Sequence, residues 1–180
     1  MLFRSENKAL GVDELMSIYF DTSKNFRRKF LDKELSADET IAITKHESYK
    51  RLLKWVTFDK EAKNLSNLLA KTDCTELTDS ETLFFTGLLK IKTTNTQNGC
   101  FKKSASVAKK QADKDKALFW EYLSTGDTNY LNTAAQSGDL NFYSKIAKEK
   151  IGLKNTDSDI VFFDEDSLLP CKNPTNYDDA

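Results

Sequence analysis

The chain has 180 residues, enough for one domain with a real core, and its 39% hydrophobic and 11% aromatic content excludes a disordered composition. Only 6 Gly and 2 Pro stand against 31% charged residues, a balance that favours helices over strands. The net charge of −1 excludes an overall basic field for nucleic acid.

That charge is unevenly spread. Residues 155–180 hold seven acids against Lys172, a net −6, so residues 1–154 carry +5. The expected organisation is a helical domain over 1–154 and an acidic, partly apolar tail over 155–180. The first residues, MLFRSENKAL, contain no signal-peptide core, and no run approaches the roughly 18–20 apolar residues of a membrane helix. Cys74, Cys100 and Cys171 are an odd number in no metal-like spacing, which predicts free thiols in a reducing cytosol. A cytoplasmic location is expected, with export by a non-classical route as the alternative.

Helical spacing begins with Val12, Leu15, Met16 and Tyr19 at i, i+3, i+4 and i+7. Ser23 is placed to cap a second helix that turns Phe26, Phe30 and Leu31 inward. Ser36-Ala-Asp-Glu39 has the capping-box form and opens a helical stretch through Ile41, Tyr49, Leu52, Leu53 and Val56, with Trp55 and Phe58 extending the apolar surface. Asp59 is expected to start the next helix, burying Ala62, Leu65, Leu68 and Leu69. After a loop at 73–77, Thr78-Asp-Ser-Glu81 reads as a second capping box before Leu83, Phe84, Leu88 and Ile91. Gly87 within that helix reads as a close-packing position.

The polar run TTNTQNG at 93–99 is the clearest internal loop. One long helix is then predicted from Phe101 to Ser124, with Phe101, Ala105, Ala108 and Ala112 as a small-residue stripe and Leu118, Phe119, Trp120, Tyr122 and Leu123 as a nearly unbroken apolar cluster in a buried segment. Two phrases follow twelve residues apart, Gly126-Asp-Thr-Asn-Tyr130 and Gly138-Asp-Leu-Asn-Phe142. Each reads as a joint in which Gly ends one helix, Asp caps the next, and the aromatic packs beneath. AAQSGDL resembles the turn of ankyrin repeats over seven residues, but the chain has neither the 33-residue period nor the T-P-L-H signature, which excludes that family.

The chemistry-bearing residues are sparse. A thiolate nucleophile needs a base, and the one histidine is His46, flanked by Lys45 and Glu47. Each cysteine is a potential thiolate, and a Cys100–His46 pair is a cysteine-enzyme arrangement the sequence leaves open; the plainer reading puts His46 on an exposed helix side and Cys100 in a loop. No H-E-x-x-H, C-x-x-C, G-x-G-x-x-G or Walker A pattern occurs, so no catalytic residue, metal or cofactor is expected.

Two basic faces stand out as anion-binding candidates: Arg27, Arg28 and Lys29 with Lys24 and Lys33, and Lys102, Lys103, Lys109 and Lys110 with Lys114 and Lys116. In the tail, Phe162, Phe163, Leu168 and Leu169 sit among Asp164, Glu165 and Asp166, where acids keep apolar side chains hydrated and available. Such acid-rich apolar ends are similar to the translocation tails of bacterial effectors delivered by type IV machines.

The expected fold is a single all-α domain of seven or eight short, orthogonally packed helices with an irregular acidic tail. The expected function is a non-catalytic interaction module, an adaptor or regulator whose partner is another protein, with the tail residues above as contact anchors. An exported effector or mobile-element protein is the alternative. Nucleic-acid binding through the Lys/Arg faces is a further one.

Overall fold

Nine α-helices and no strand occur among the residues that the computed structural model describes, 11–23 and 36–153. In chain order they are α1 Val12–Asp21, α2 Ala37–Lys45, α3 Tyr49–Phe58, α4 Lys63–Leu69, α5 Ser80–Thr94, α6 Cys100–Val107, α7 Gln111–Thr125, α8 Thr128–Ala135 and α9 Phe142–Lys150. The all-helical class predicted from composition stands. The helix expected at Phe26–Leu31 lies outside the described residues, and the count reaches nine because two predicted stretches are each broken.

The first break follows the Ser36 capping box, whose geometry is as expected: the Ser36 amide donates to Glu39 Oε2 at 2.8 Å and the Glu39 amide to Ser36 Oγ at 3.2 Å. The helix ends after nine residues, where His46 turns to extended backbone and its Nδ1 accepts the Ser48 amide at 3.0 Å. The second break lies at Ala108–Lys110, inside the predicted helix over 101–124. Ala108 and Lys110 both adopt extended backbone there. A continuous 24-residue helix would run about 36 Å. Reversal at Ala108 instead lets α7 return along α6 and also meet α5, α8 and α9. The small-residue stripe is thereby divided: Ala105 is buried, Ala108 lies in the break, and Ala112 is exposed.

Two predicted caps shift by a residue or more. Asp79, rather than Thr78, caps α5, accepting the Thr82 amide at 2.8 Å and its hydroxyl at 2.7 Å. Asp59 does not open α4; it closes α3 and accepts the Glu61 amide at 2.9 Å, while Ala62 stands at the α4 N-terminus without a side-chain cap.

The core gathers around α5, which packs against α3, α4, α6 and α7. A helix surrounded in this way must be apolar around most of its circumference. Leu83, Phe84, Phe85 and Leu89 are buried on different sides of it. Phe84 centres an aromatic cluster with Phe85 at 5.7 Å, Phe101 at 5.4 Å and Trp120 at 6.1 Å, in the edge and tilted geometries that ring quadrupoles favour. Gly87 is the close-packing position the sequence suggested, since a Cβ there would lie 2.7 Å from Phe101 Cε1. Phe58 was expected to join the apolar surface, yet it is 68% exposed, with only its ring edge against Phe85 at 6.0 Å.

The expectation of free thiols is overturned for two of the three cysteines. Cys74 and Cys100 form a disulfide with Cα atoms 5.4 Å apart, inside the bridging range. Cys100 is not a loop thiol: it is the first residue of α6 and wholly buried. The α5–α6 hairpin brings it onto the segment after α4, a juxtaposition that spacing in the chain does not reveal. With Leu83 the two cysteines make a small second core, covered by Leu77 and Val107. Closing a 26-residue separation stabilises the fold by about 3.5 kcal/mol in the chain-entropy model.

Candidate functional site

The α2–α3 corner and the 76–79 segment face each other across a cleft of about 380 Å³. His46, Glu47 and Lys50 come from one wall; Glu76, Leu77, Thr78 and Asp79 come from the other. His46 is not on an exposed helix side. Its side chain is 17% exposed at the end of α2, and Nε2 lies 3.2 Å from Oδ1 of Asp13, itself almost fully exposed. Histidine and carboxylates therefore share one cleft. The thiol the cysteine-enzyme arrangement requires is missing from it, because Cys100 Sγ is bonded to Cys74.

Asp79 is the best-held carboxylate of the cleft. Burial works against its charge, but the Thr82 hydroxyl and amide, with Lys50 and Lys109 nearby, hold it below the usual aspartate range. Lys50 lies 3.2 Å from Glu81 and 3.9 Å from Asp79, which raises its own affinity for a proton. Tyr49 lines the floor, and its hydroxyl is pushed up by burial while the Thr72 and Thr86 side chains act in the opposite sense. Among the described residues no three His, Cys, Asp or Glu side chains converge as a metal site.

Four ionisable groups that sequence reasoning missed lie in or against the core, and each is directed at a helix end. Lys90 Nζ donates to the Ala70 carbonyl at 2.7 Å, at the C-terminus of α4. Lys92 Nζ reaches the carbonyls of Val56, Thr57 and Asp59 at 3.1, 3.2 and 2.8 Å, at the C-terminus of α3. Burial lowers the proton affinity of both lysines, opposed by Asp73 for Lys90 and by Asp59 for Lys92. A cation at a helix C-terminus meets orphan carbonyls and the negative end of the dipole.

Carboxylates serve the opposite ends. Glu121 Oε2 accepts the Lys102 amide at 3.1 Å, supplying from α7 the cap that Gly99 cannot give α6. Burial raises the Glu121 carboxyl, while Gln97 and the Lys102 amide offset part of that rise. Asp115, fully buried, accepts Gln111 Nε2 at 2.7 Å and Asn141 Nδ2 at 2.6 Å, and Asn141 is the cap of α9. The one legible signal was Lys90 and Lys92 beside the apolar residues Leu88, Leu89 and Ile91 of α5.

The predicted basic face at 102–116 is divided between α6 and α7. Lys103 donates to the Thr75 carbonyl at 2.6 Å, and Lys116 pairs with Asp113 at 2.9 Å and lies over the Phe84 ring. Lys102, Lys109, Lys110 and Lys114 are exposed. Arg27, Arg28 and Lys29 lie outside the described residues, as do Phe162, Phe163, Asp164, Glu165, Asp166, Leu168 and Leu169.

Around α9, apolar side chains face outward. Leu140 and Phe142 flank its cap and Leu153 follows its last turn, at 55%, 66% and 51% exposure. Phe142 stands edge-on to Tyr143 at 5.2 Å, and Tyr143 packs on Phe119 at 5.8 Å, so this surface connects to the core through stacked rings. No helix among the described residues is long and apolar enough to cross a membrane. The chain matches no protein-family model, no curated protein and no solved structure.

Proposed function

We propose that this protein is a non-catalytic helical domain that acts by binding another protein. What supports the reading is how its buried ionisable groups are used: Lys90, Glu121 and Asp115 are all occupied with helix ends, and Cys100 with a disulfide. Groups held in this way are not poised to exchange protons with a substrate. Large apolar side chains at Leu140, Phe142 and Leu153 remain open to solvent beside α9, as a contact surface requires. The tail residues Phe162, Phe163, Leu168 and Leu169 are the second set of proposed anchors.

Capture experiments with full-length protein, a Leu140→Ser/Phe142→Ser variant and a chain ending at residue 154 test this. A partner held stoichiometrically by the full-length chain and lost from the variant or the shortened chain, with helix content unchanged, supports the reading. Undiminished capture by both would refute the two surfaces together.

One observation favours a second reading, an exported protein acting outside the cytosol that made it. Structural disulfides persist in oxidising compartments, whereas cytosolic thiols are kept reduced. The buried Cys74–Cys100 bond fits the former. Recovery of the native protein with all thiols free would remove this support.

A further inference from the structure

We propose that the Cys74–Cys100 disulfide is a redox latch on the cleft: it fixes the 73–79 segment as a wall when oxidised and releases it when reduced. The segment joins α4 to α5 without helical structure of its own, and it supplies Glu76, Leu77, Thr78 and Asp79 to the cleft. Its internal support is slight. The Glu76 amide reaches the Asp73 carbonyl and the Leu77 amide the Cys74 carbonyl, both at 3.3 Å, the long end for such bonds. Asp73 Oδ1 accepts the Thr75 amide at 2.8 Å.

Its far end is anchored at Asp79, which caps α5 and lies 3.9 Å from Lys50; what holds residues 73–78 to α6 comes from two neighbouring turns of that helix. Cys100 bonds Cys74, and Lys103, three residues on, donates to the Thr75 carbonyl. Leu77 packs against the small core that the two sulfurs and Leu83 create. Breaking the S–S bond leaves Lys103 as the remaining tie from α6, and that tie is exposed. A segment with few buried contacts and exposed backbone bonds is one that opens locally rather than with the whole fold.

The chemistry balances with an external disulfide, of an oxidised dithiol oxidoreductase or oxidised glutathione, as electron acceptor. One cysteine thiolate attacks that disulfide, forms a mixed disulfide and expels one thiolate, which takes up a proton. The second cysteine thiolate attacks the protein sulfur of the mixed disulfide, the Cys74–Cys100 bond forms, and the second external thiol leaves. Two electrons and two protons pass from the protein to the acceptor. A dithiol reverses the sequence.

This inference shares the bond with the export reading, so the test separates the bond from the latch. Full-length protein, folded in the presence of oxidised glutathione, is unfolded and alkylated with a maleimide, with and without prior reduction. One adduct, on Cys171, and a Cys74–Cys100 cross-linked peptide are expected before reduction, and three adducts after it. Three adducts without reductant, or a bond to Cys171, would overturn both readings.

Hydrogen exchange on native protein then tests the latch alone. Reduction is expected to lower the Tm by about 10 °C and to speed exchange over 73–79 at least tenfold more than over α8 and α9, whose amides respond only to the global loss of stability. Unchanged exchange at 73–79, or an equal rise throughout, would overturn the latch while leaving the bond standing. Cys100→Ser is expected to reproduce the reduced pattern in any redox buffer. Reduced wild-type protein carries the test even where that variant does not fold.

Discussion

Gly126–Tyr130 and Gly138–Phe142 share one phrase, Gly-Asp-x-Asn-aromatic, and build different joints. At the first, Gly126 takes a positive φ of 73° and returns its amide to the Tyr122 carbonyl at 2.8 Å; Asp127 then caps α8 through the Asn129 amide at 3.0 Å. Two residues complete the connection. At the second, α8 has already ended at Ala135, and the chain takes six residues to reach α9. There the cap is Asn141, accepting the Tyr143 and Ser144 amides at 3.0 and 3.1 Å. Asp139 contributes its backbone carbonyl, to the Ser144 hydroxyl at 2.6 Å. The difference originates 26 residues away in the chain. Buried Asp115 needs donors, and Asn141 supplies one through Nδ2 while its Oδ1 caps the helix; an aspartate cap could not do both.

The sharpest test exchanges the two asparagines for alanine. Asn141→Ala removes the α9 cap and leaves Asp115 with Gln111 alone, so it is expected to cost about 2–3 kcal/mol in urea unfolding. Asn129→Ala, at the matching but exposed position of the first phrase, is expected to stay within about 0.5 kcal/mol. Equal losses would show that the joints do not differ as their geometry says.

The glycines give the next largest contrast. No neighbour crowds either one, so any cost comes from the backbone. Gly126→Ala places a Cβ in the left-handed region and is expected to cost about 1–2 kcal/mol. Gly138 has no positive φ, and its replacement by alanine is expected to be neutral or to stabilise by about 0.5 kcal/mol. Thermal unfolding of the two variants side by side resolves the sign. The aspartates follow in the same direction: Asp127→Ala loses a cap at about 1 kcal/mol, and Asp139→Ala, whose backbone contact survives, changes urea stability by less than about 0.5 kcal/mol.

Local signals were legible where a residue answers to its own helix. The Ser36–Glu39 box, the Gly126–Asp127 joint and the packing role of Gly87 were all readable from spacing and side-chain type. What escaped was set by distant partners. The reversal at Ala108–Lys110 has no Gly or Pro to announce it and exists because α7 must pack on four other helices. The disulfide depends on a hairpin bringing residue 100 to residue 74. The buried carboxylates were equally hidden, since Glu121 accepts a backbone amide of α6 and Asp115 the side chain that caps α9.

The smallest effect on stability carries the most functional weight. Had Asp139 capped α9, Phe142 would sit at the third helical position, one turn in and beneath the joint. With Asn141 as cap it is the first helical residue and is 66% exposed, whereas Tyr130 of the first phrase is partly buried against the core. Phe142→Ser is therefore expected to leave the urea midpoint within about 0.5 kcal/mol of wild type, while Tyr130→Ser costs about 1–2 kcal/mol. If Phe142→Ser also weakens partner capture while an equally exposed control, Phe58→Ser, does not, the shifted cap has turned a core aromatic into a contact residue. A loss of stability as large as that of Tyr130→Ser would instead return Phe142 to the packing role its sequence position suggested.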